Sequence, residues 1–314
     1  MPTVLVTGAG GFVGSHTIPE LLSGGWRVLA LVRTDAAARR VLERLPESAR
    51  AGVEVRRGDV TEPDSLGPAL AGADAIVHLV AIARDRGDGR ELERVNVAGT
   101  RNVVAAAHAA GVQRFVYQGA LGVTDDPRLH YAGSKARAEA LVRAAPLDWT
   151  ILKPSLLWGE RDGFFNIVAG LIRTSPGIVP VPGDGNSRFQ PLAVADAASA
   201  IRLSLERPAT IGQVYELGGP RYWTYRQITR EVLRGMGRRR LIVPVPVALI
   251  SLVAGTAEHL HLPFPVATDQ LRQLRLDNIG PLDGYLTAFG RAPVDMAGNL
   301  GYLARRLGDQ EPRP

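Results

Sequence analysis

Strand-like runs recur at short intervals from the first residues of the chain: Val4–Val6, Val28–Val32, Val53–Arg56, Ala75–Leu79, Phe115–Tyr117 and Thr150–Leu152. Segments of helical character separate them, near residues 12–23, 36–45, 64–71, 90–110 and 132–145. Strands that alternate with helices predict a parallel sheet with right-handed crossovers and helices on both faces, an α/β architecture. Beyond Pro154 the texture changes. Gly159, Gly163, Pro176, Pro180, Pro182, Gly183 and Gly185 punctuate the chain, as expected of a loop-rich lobe. A helix over 193–206 and a strand at Val214–Leu217 are expected to return to the main sheet, and helices near 224–236 and 245–260 to complete the lobe. The division expected is a core over 1–155, joined by 193–217, a smaller lobe over 156–192 and 218–307, and a frayed tail over 308–314.

The first strand leads into Thr7-Gly-Ala-Gly-Gly-Phe-Val-Gly14, with glycines at 8, 11 and 14 and an extra one at 10. Gly8 allows a tight turn out of the strand. Gly10 and Gly11, followed by Phe12 and Val13, let backbone approach a pyrophosphate seated on a helix N-terminus, where free N–H groups and the dipole favour negative charge. Gly14 lets that helix pack close to the sheet. Strand, turn and helix stand in the order that a dinucleotide site requires. The fold expected is therefore a Rossmann-type doubly wound parallel sheet with a smaller C-terminal substrate lobe.

Composition narrows the class. The 314 residues can bury a large core, and no apolar run nears the roughly 20 residues that span a bilayer. The N-terminal apolar residues belong to the strand–turn–helix unit rather than to a signal peptide, and the cytoplasm is the default expectation. Cysteine is absent, which removes disulfide and thiolate chemistry. The net charge of +6 invites a nucleic-acid partner, but the 37 basic residues are interspersed with 31 acids. The one dense run, Arg238-Arg-Arg240, reads as a solvated helix end, with a phosphate-binding patch as the alternative. Only two of the basic residues are lysines, Lys135 and Lys153, so each marks a place that needs a compact ammonium rather than a guanidinium.

Lys135 closes Tyr131-Ala-Gly-Ser-Lys135 in a segment of helical character. Residues four apart on a helix project from one face. An ammonium beside a phenol favours the phenolate, so Tyr131 is a candidate proton donor or acceptor for hydride chemistry at a carbonyl or alcohol. The alternative is a surface helix pair.

With these residues in view, the chain resembles the short-chain dehydrogenase/reductase superfamily in its extended or atypical branch. The glycine turn and Tyr131 with Lys135 match, as do Gly58-Asp59-Val60, His78-Leu79-Val80-Ala81, Asn96-Val-Ala-Gly-Thr-Arg-Asn102 and Lys153-Pro154-Ser155. A closer similarity is to proteins related to the NAD(P)H-binding accessory subunit of respiratory complex I and its stand-alone bacterial relatives. It rests on Ala120-Leu-Gly122, Phe164-Phe-Asn166, Arg188-Phe-Gln-Pro191 with Asp196, Tyr215-Glu-Leu-Gly-Gly-Pro220 and Leu241-Ile-Val-Pro-Val-Pro246. The resemblance implies that Asp59 and Val60 lie by the adenine, that Leu79, Val80, Ala81, Pro154 and Ser155 line the cofactor, and that Lys135 holds the nicotinamide ribose. It also implies a serine or threonine after the fifth strand, where this chain has Gly119, which carries no side chain to donate. Thr124 or Gln118 are the nearest substitutes.

Arg33 ends the second strand where an acid would hold the ribose hydroxyls of NAD, so NADP(H) is the preferred cofactor. NAD(H), held by Asp35, is the alternative. His16 and His108 read as packing residues, His78 as packing under the cofactor. His259 and His261 lack a third ligand, and no metal is expected. Trp158, Phe164, Phe165, Phe189 and Trp223 fit either an apolar or aromatic, quinone-like ligand or a simple lobe core. Three functions follow: an NADP(H)-dependent oxidoreductase acting on a small molecule through Tyr131 and Lys135, a non-catalytic NADPH-binding structural or sensor protein, and a nucleotide-sugar epimerase or dehydratase. The assembly expected is a monomer or homodimer without nucleic acid.

Overall fold

The computed structural model describes residues 1–85, 88–250 and 277–306. Seven parallel strands form the main sheet: β1 (Thr3–Thr7), β2 (Arg27–Val32), β3 (Val53–Arg57), β4 (Ala75–His78), β5 (Arg114–Gln118), β6 (Asp148–Pro154) and β7 (Gln213–Leu217). Their order across the sheet is β7-β6-β5-β4-β1-β2-β3. Strand order reverses between β1 and β4, and a ligand crevice opens at the carboxyl ends of strands at such a point. The chain belongs to the Rossmann-like α/β class that its pattern predicts.

Seven helices of nine or more residues are seen among the described residues: α1 (Phe12–Ser23), α2 (Asp35–Glu43), α3 (Gly99–Ala109), α4 (His130–Arg143), α5 (Phe164–Thr174), α6 (Val194–Glu206) and α7 (Tyr225–Gly235). One face of the sheet buries Val4, Val6, Val28, Val77, Val116 and Leu152 against α1 and α6. The other buries Leu5, Leu29, Ile76, Phe115, Tyr117 and Ile151 against α3 and α4. Odd and even positions of each strand thus serve opposite cores, which is why these strands read as continuous apolar runs. Strand β3 is the exception, since Val53–Arg57 occupies the sheet edge and none of its residues is buried.

A third apolar cluster joins α5 and α7 to the segment near residues 296–303, around Phe165, Ile172, Ile228, Val232, Met296 and Leu303. Buried Asp162 binds this lobe together. Its Oδ1 accepts from Phe165 N at 2.7 Å and Asn166 N at 3.2 Å, and its Oδ2 accepts from Tyr302 Oη at 2.5 Å. Burial pushes its carboxyl up to about 6. Among the described residues no helix is long and apolar enough to cross a membrane. Most of the expected helix at 245–260, with His259 and His261, and the tail at 308–314 lie outside the described residues.

Candidate active site in the dinucleotide cleft

The turn after β1 is built by backbone that side chains would obstruct. Gly8 has φ +70°, and a Cβ there would stand 3.2 Å from Leu79 C and Val80 N. The turn is therefore pressed against the segment that leaves β4. A Cβ on Gly14 would meet Gly8 O and lie 2.8 Å from Ala9 Cα, so this glycine lets α1 pack on the turn itself rather than on the sheet at large. At Gly11 a Cβ would meet only Gly8 O, at 3.1 Å, and at Gly10 only ordinary contacts with Ala37 and Val41. Gly11 caps α1 without a side chain, and no acid stands in the first turn of this 12-residue helix. Phe12 and Val13 follow it, with the Phe12 ring edge-on to His16 at 5.6 Å. The open N–H groups and the dipole suit a pyrophosphate, so these residues fit a dinucleotide.

Side chains fix the neighbouring strand ends. Thr7 Oγ1 lies 2.7 Å from His78 Nδ1 and accepts from Leu79 N at 3.1 Å, while His78 Nε2 lies 3.1 Å from Thr100 Oγ1. Complete burial lowers His78 to about 3, so the ring stays neutral and packs rather than titrates. Asn96 Oδ1 accepts from Ile82 N at 2.8 Å, and its Nδ2 donates to Ile82 O and Ser134 Oγ. The loop carrying Leu79, Val80 and Ala81 is thereby held from both ends.

At the tip of β2, Arg33 is 69% exposed and lies 3.7 Å from Asp59 Oδ2. Asp59 Oδ1 accepts from Thr61 N and Thr61 Oγ1, both at 2.9 Å, and Val60 beside it is buried. Asp35 is paired with Arg57 at 3.2 Å. Arg44 donates to Gly10 O at 3.0 Å and so adds a guanidinium at the glycine turn.

Tyr131, Lys135 and Glu139 stand at four-residue intervals along α4. Lys135 is buried, donates to Gln118 O at 2.7 Å and sits 4.5 Å from the centroid of Tyr117. The Tyr117 ring in turn stacks on His78 at 5.8 Å. Burial depresses the Lys135 ammonium to about 7, with the Glu139 carboxylate opposing that shift. Burial also raises the Tyr131 hydroxyl above its ordinary value. This differs from the expectation of a phenolate favoured by the lysine: desolvation is the cause that acts on the Tyr131 hydroxyl. Glu139 Oε2 is 3.6 Å from Lys153 Nζ, and Glu139 Oε1 accepts from Arg143 at 2.6 Å. Both lysines of the chain therefore converge on one buried carboxylate.

Gly119 faces that cluster. The β5–β6 ladder continues past Gln118, with Gly119 N donating to Leu152 O and Leu121 N to Pro154 O. The three atoms nearest a Cβ on Gly119 are Lys153 Cγ at 3.3 Å, Glu139 Oε2 at 3.5 Å and Leu152 O at 3.6 Å. Ser155, after Pro154, donates to Asn278 Oδ1 at 2.5 Å and accepts from Gln190 N at 3.2 Å, so its hydroxyl serves a tertiary link. Gln190 also bonds Gly219 O and Gly280 N, and Asp196 holds Arg291 and Val294 N. Trp158, Phe165 and Phe189 belong to the lobe core, with Phe164 and Trp223 packed on it.

Comparison with known proteins agrees with this geometry. The family profile described as NAD(P)H-binding matches residues 8–170. A 2-alkyl-3-oxoalkanoate reductase of Stenotrophomonas maltophilia is 31% identical over 264 residues, covering 76% of this chain and 77% of that protein. The subunit 9 of the NADH dehydrogenase [ubiquinone] 1 alpha subcomplex from Arabidopsis thaliana is 28% identical over 290 residues, covering 88% and 68%. The fold is shared with the UDP-glucose 4-epimerase of Thermus thermophilus in complex with NAD, at TM-score 0.71 and 22% identity, over 98% of both chains. The chain belongs to the NAD(P)H-binding family of short-chain dehydrogenase/reductase-like proteins, whose members include reductases and a subunit of the NADH dehydrogenase complex.

Proposed function

We propose that this protein is an NADP(H)-dependent reductase that converts a carbonyl group of a small apolar molecule to an alcohol. The observation that carries the reading is the placement of Tyr131 on α4 one turn before the buried Lys135, whose ammonium is fixed on Gln118 O; burial keeps the proton on the Tyr131 hydroxyl. A neutral phenol is a proton donor, and reduction of a carbonyl requires one at the oxygen. A nicotinamide held in the cleft would supply the hydride for the carbonyl carbon. Tyr131 would give its proton to the carbonyl oxygen, and Lys135, aimed by Gln118 O and the Tyr117 ring, would hold positive charge one helical turn from the phenol. Arg33 at the mouth of the adenosine end supports NADPH over NADH. An apolar substrate is supported by two relatives named for lipid-like compounds: the 2-alkyl-3-oxoalkanoate reductase and, at 32% identity, a ceramide reductase of Caulobacter vibrioides.

A second reading, NADPH binding without turnover, is favoured by the bare Gly119 and by the similarity to the complex I subunit. NADPH oxidation over a panel of 3-oxoacyl compounds, ketones, aldehydes and quinones separates the two. The reductase reading expects turnover with a 3-oxo compound that falls roughly a hundredfold or more in Tyr131→Phe at unchanged NADPH affinity. Tight NADPH binding with no turnover on any panel member would leave the binding reading.

A further inference from the structure

The arginine run noted in the sequence is the end of a longer stripe. Arg226, Arg230 and Arg234 lie four apart on α7 and so share a face, and Arg238, Arg239 and Arg240 carry the stripe to the strand Leu241–Val245. These six arginines line an open cavity of about 770 Å³, and among the described residues no carboxylate and no aromatic ring lines it. Arg234 pairs with Glu231, Arg226 donates to Asp184 O and Arg240 to Ser175 O. Arg230, Arg238 and Arg239 are exposed and have no side-chain partner among the described residues.

Part of this arrangement works against the helix that carries it. Like charges at four-residue spacing repel, and Arg226 in the first turn opposes the helix dipole, whereas Arg234 in the last turn favours it and pairs with Glu231. Stability therefore accounts for Arg234 and leaves Arg230, Arg238 and Arg239 without a structural task among the described residues. Beside it runs an apolar edge. Leu241 is 67% exposed, and it pairs in parallel register with Ile178, which is 49% exposed. Guanidiniums without a side-chain partner among the described residues, next to protruding aliphatic side chains, match a surface that is anionic outside and apolar beneath. Single-stranded nucleic acid is the poorer fit, since base stacking needs aromatic platforms that this cavity lacks.

We propose that this face docks on an anionic phospholipid bilayer, with Arg230, Arg238 and Arg239 on the headgroup phosphates and Leu241 and Ile178 entering the interface. The argument uses no residue of the dinucleotide cleft, so it stands independently of the reductase reading.

Vesicle flotation of the full-length protein tests it. Partition onto phosphatidylcholine vesicles containing phosphatidylglycerol is expected to exceed that onto phosphatidylcholine alone by roughly tenfold or more, and to collapse in molar salt. The charge reversal Arg230→Glu/Arg238→Glu/Arg239→Glu should abolish partition, and the Arg→Gln triple should reduce it. Leu241→Ser with Ile178→Ser should weaken it at constant charge. NADPH affinity and thermal unfolding, both expected to be unchanged, verify that each variant is folded. Equal partition onto neutral and anionic vesicles, undiminished partition of the charge-reversed protein, or stronger binding to polyglutamate or duplex DNA than to the anionic vesicles would each overturn the assignment.

Discussion

Glu139→Gln perturbs the candidate site at its one buried carboxylate. The carboxylate lies one helical turn after Lys135 and 3.6 Å from Lys153 Nζ. Burial alone drives Lys135 down, and Glu139 is the group that opposes it, leaving the ammonium at about 7. Opposite unit charges at the roughly 5–6 Å spacing of residues four apart on a helix attract by about 3 kcal/mol at an effective dielectric near 20. That equals about two pH units at about 1.4 kcal/mol each. Glu139 is shared with Lys153 and Arg143, so a drop of about one unit is the expected size. The sign is fixed by charge: Lys135 is cationic below its midpoint, and losing a neighbouring anion moves that midpoint to lower pH. Any property that needs the ammonium is then present below about 7 in the native protein and only below a still lower pH in the variant. The chain lends itself to a direct measurement because it has only two lysines. Protein labelled at lysine Cε shows two titrating signals by NMR, and Lys153→Arg assigns them. Lys153→Met, which removes a like charge, should move Lys135 the other way. A Lys135 midpoint in Glu139→Gln that equals or exceeds the native value would refute the reasoning.

Two glycines of the first turn should behave differently. Gly14→Ala drives a Cβ into Gly8 and Ala9 and should cost about 1–3 kcal/mol or more in chemical denaturation. Gly11→Val, whose Cβ meets a single carbonyl at 3.1 Å, should stay folded by circular dichroism yet lose NADPH binding in calorimetry, because its side chain enters the space the phosphates need. Gly119→Ser should not raise turnover on small ketones. The new hydroxyl would lie by Glu139 Oε2, an acceptor without a hydrogen bond, so it is consumed within the cluster. Increased turnover in that variant would mean that the residue reaches the substrate.

Much of this fold is legible in the sequence, because buried parallel strands must be apolar on both faces and the turn after β1 must be glycine-rich. Val4–Val6, Val28–Val32 and Phe115–Tyr117 locate three strands for the first reason, and Gly8 and Gly14 locate the cofactor turn for the second. The four-residue spacing of Tyr131 and Lys135 places both on one helical face. The sequence does not disclose what that face meets. Lys153 is 14 residues beyond Glu139, and only the crossover from α4 into β6 brings them together. The orientation of Gly119 follows from a ladder continued one residue past the strand, which no local pattern records. The Tyr131 hydroxyl is a related case: spacing reveals the nearby lysine, whereas desolvation depends on everything packed around the ring. Ser155 and Gln190 are similar cases, since their partners Asn278 and Gly280 lie about 90 residues or more downstream.

Burial pushes both titratable members of the pair toward neutrality, Tyr131 up and Lys135 down. The lysine then lies at its midpoint near neutral pH, and its charge depends on what else enters the cleft. In the proposed mode NADPH would bring phosphate anions to the N-terminus of α1, and added negative charge in a region of low dielectric favours the ammonium. Binding at a pH above about 7 should therefore take up a proton at Lys135, while binding well below 7 should not. By linkage, NADPH affinity must then fall as the pH rises through the midpoint of the free protein. Calorimetric titrations in two buffers of different ionisation enthalpy count the protons directly. Uptake of a fraction of a proton per NADPH at pH 8, absent in Lys135→Met, is the expected result. Equal uptake in the two proteins would place the titrating group elsewhere and leave Lys135 as a fixed charge.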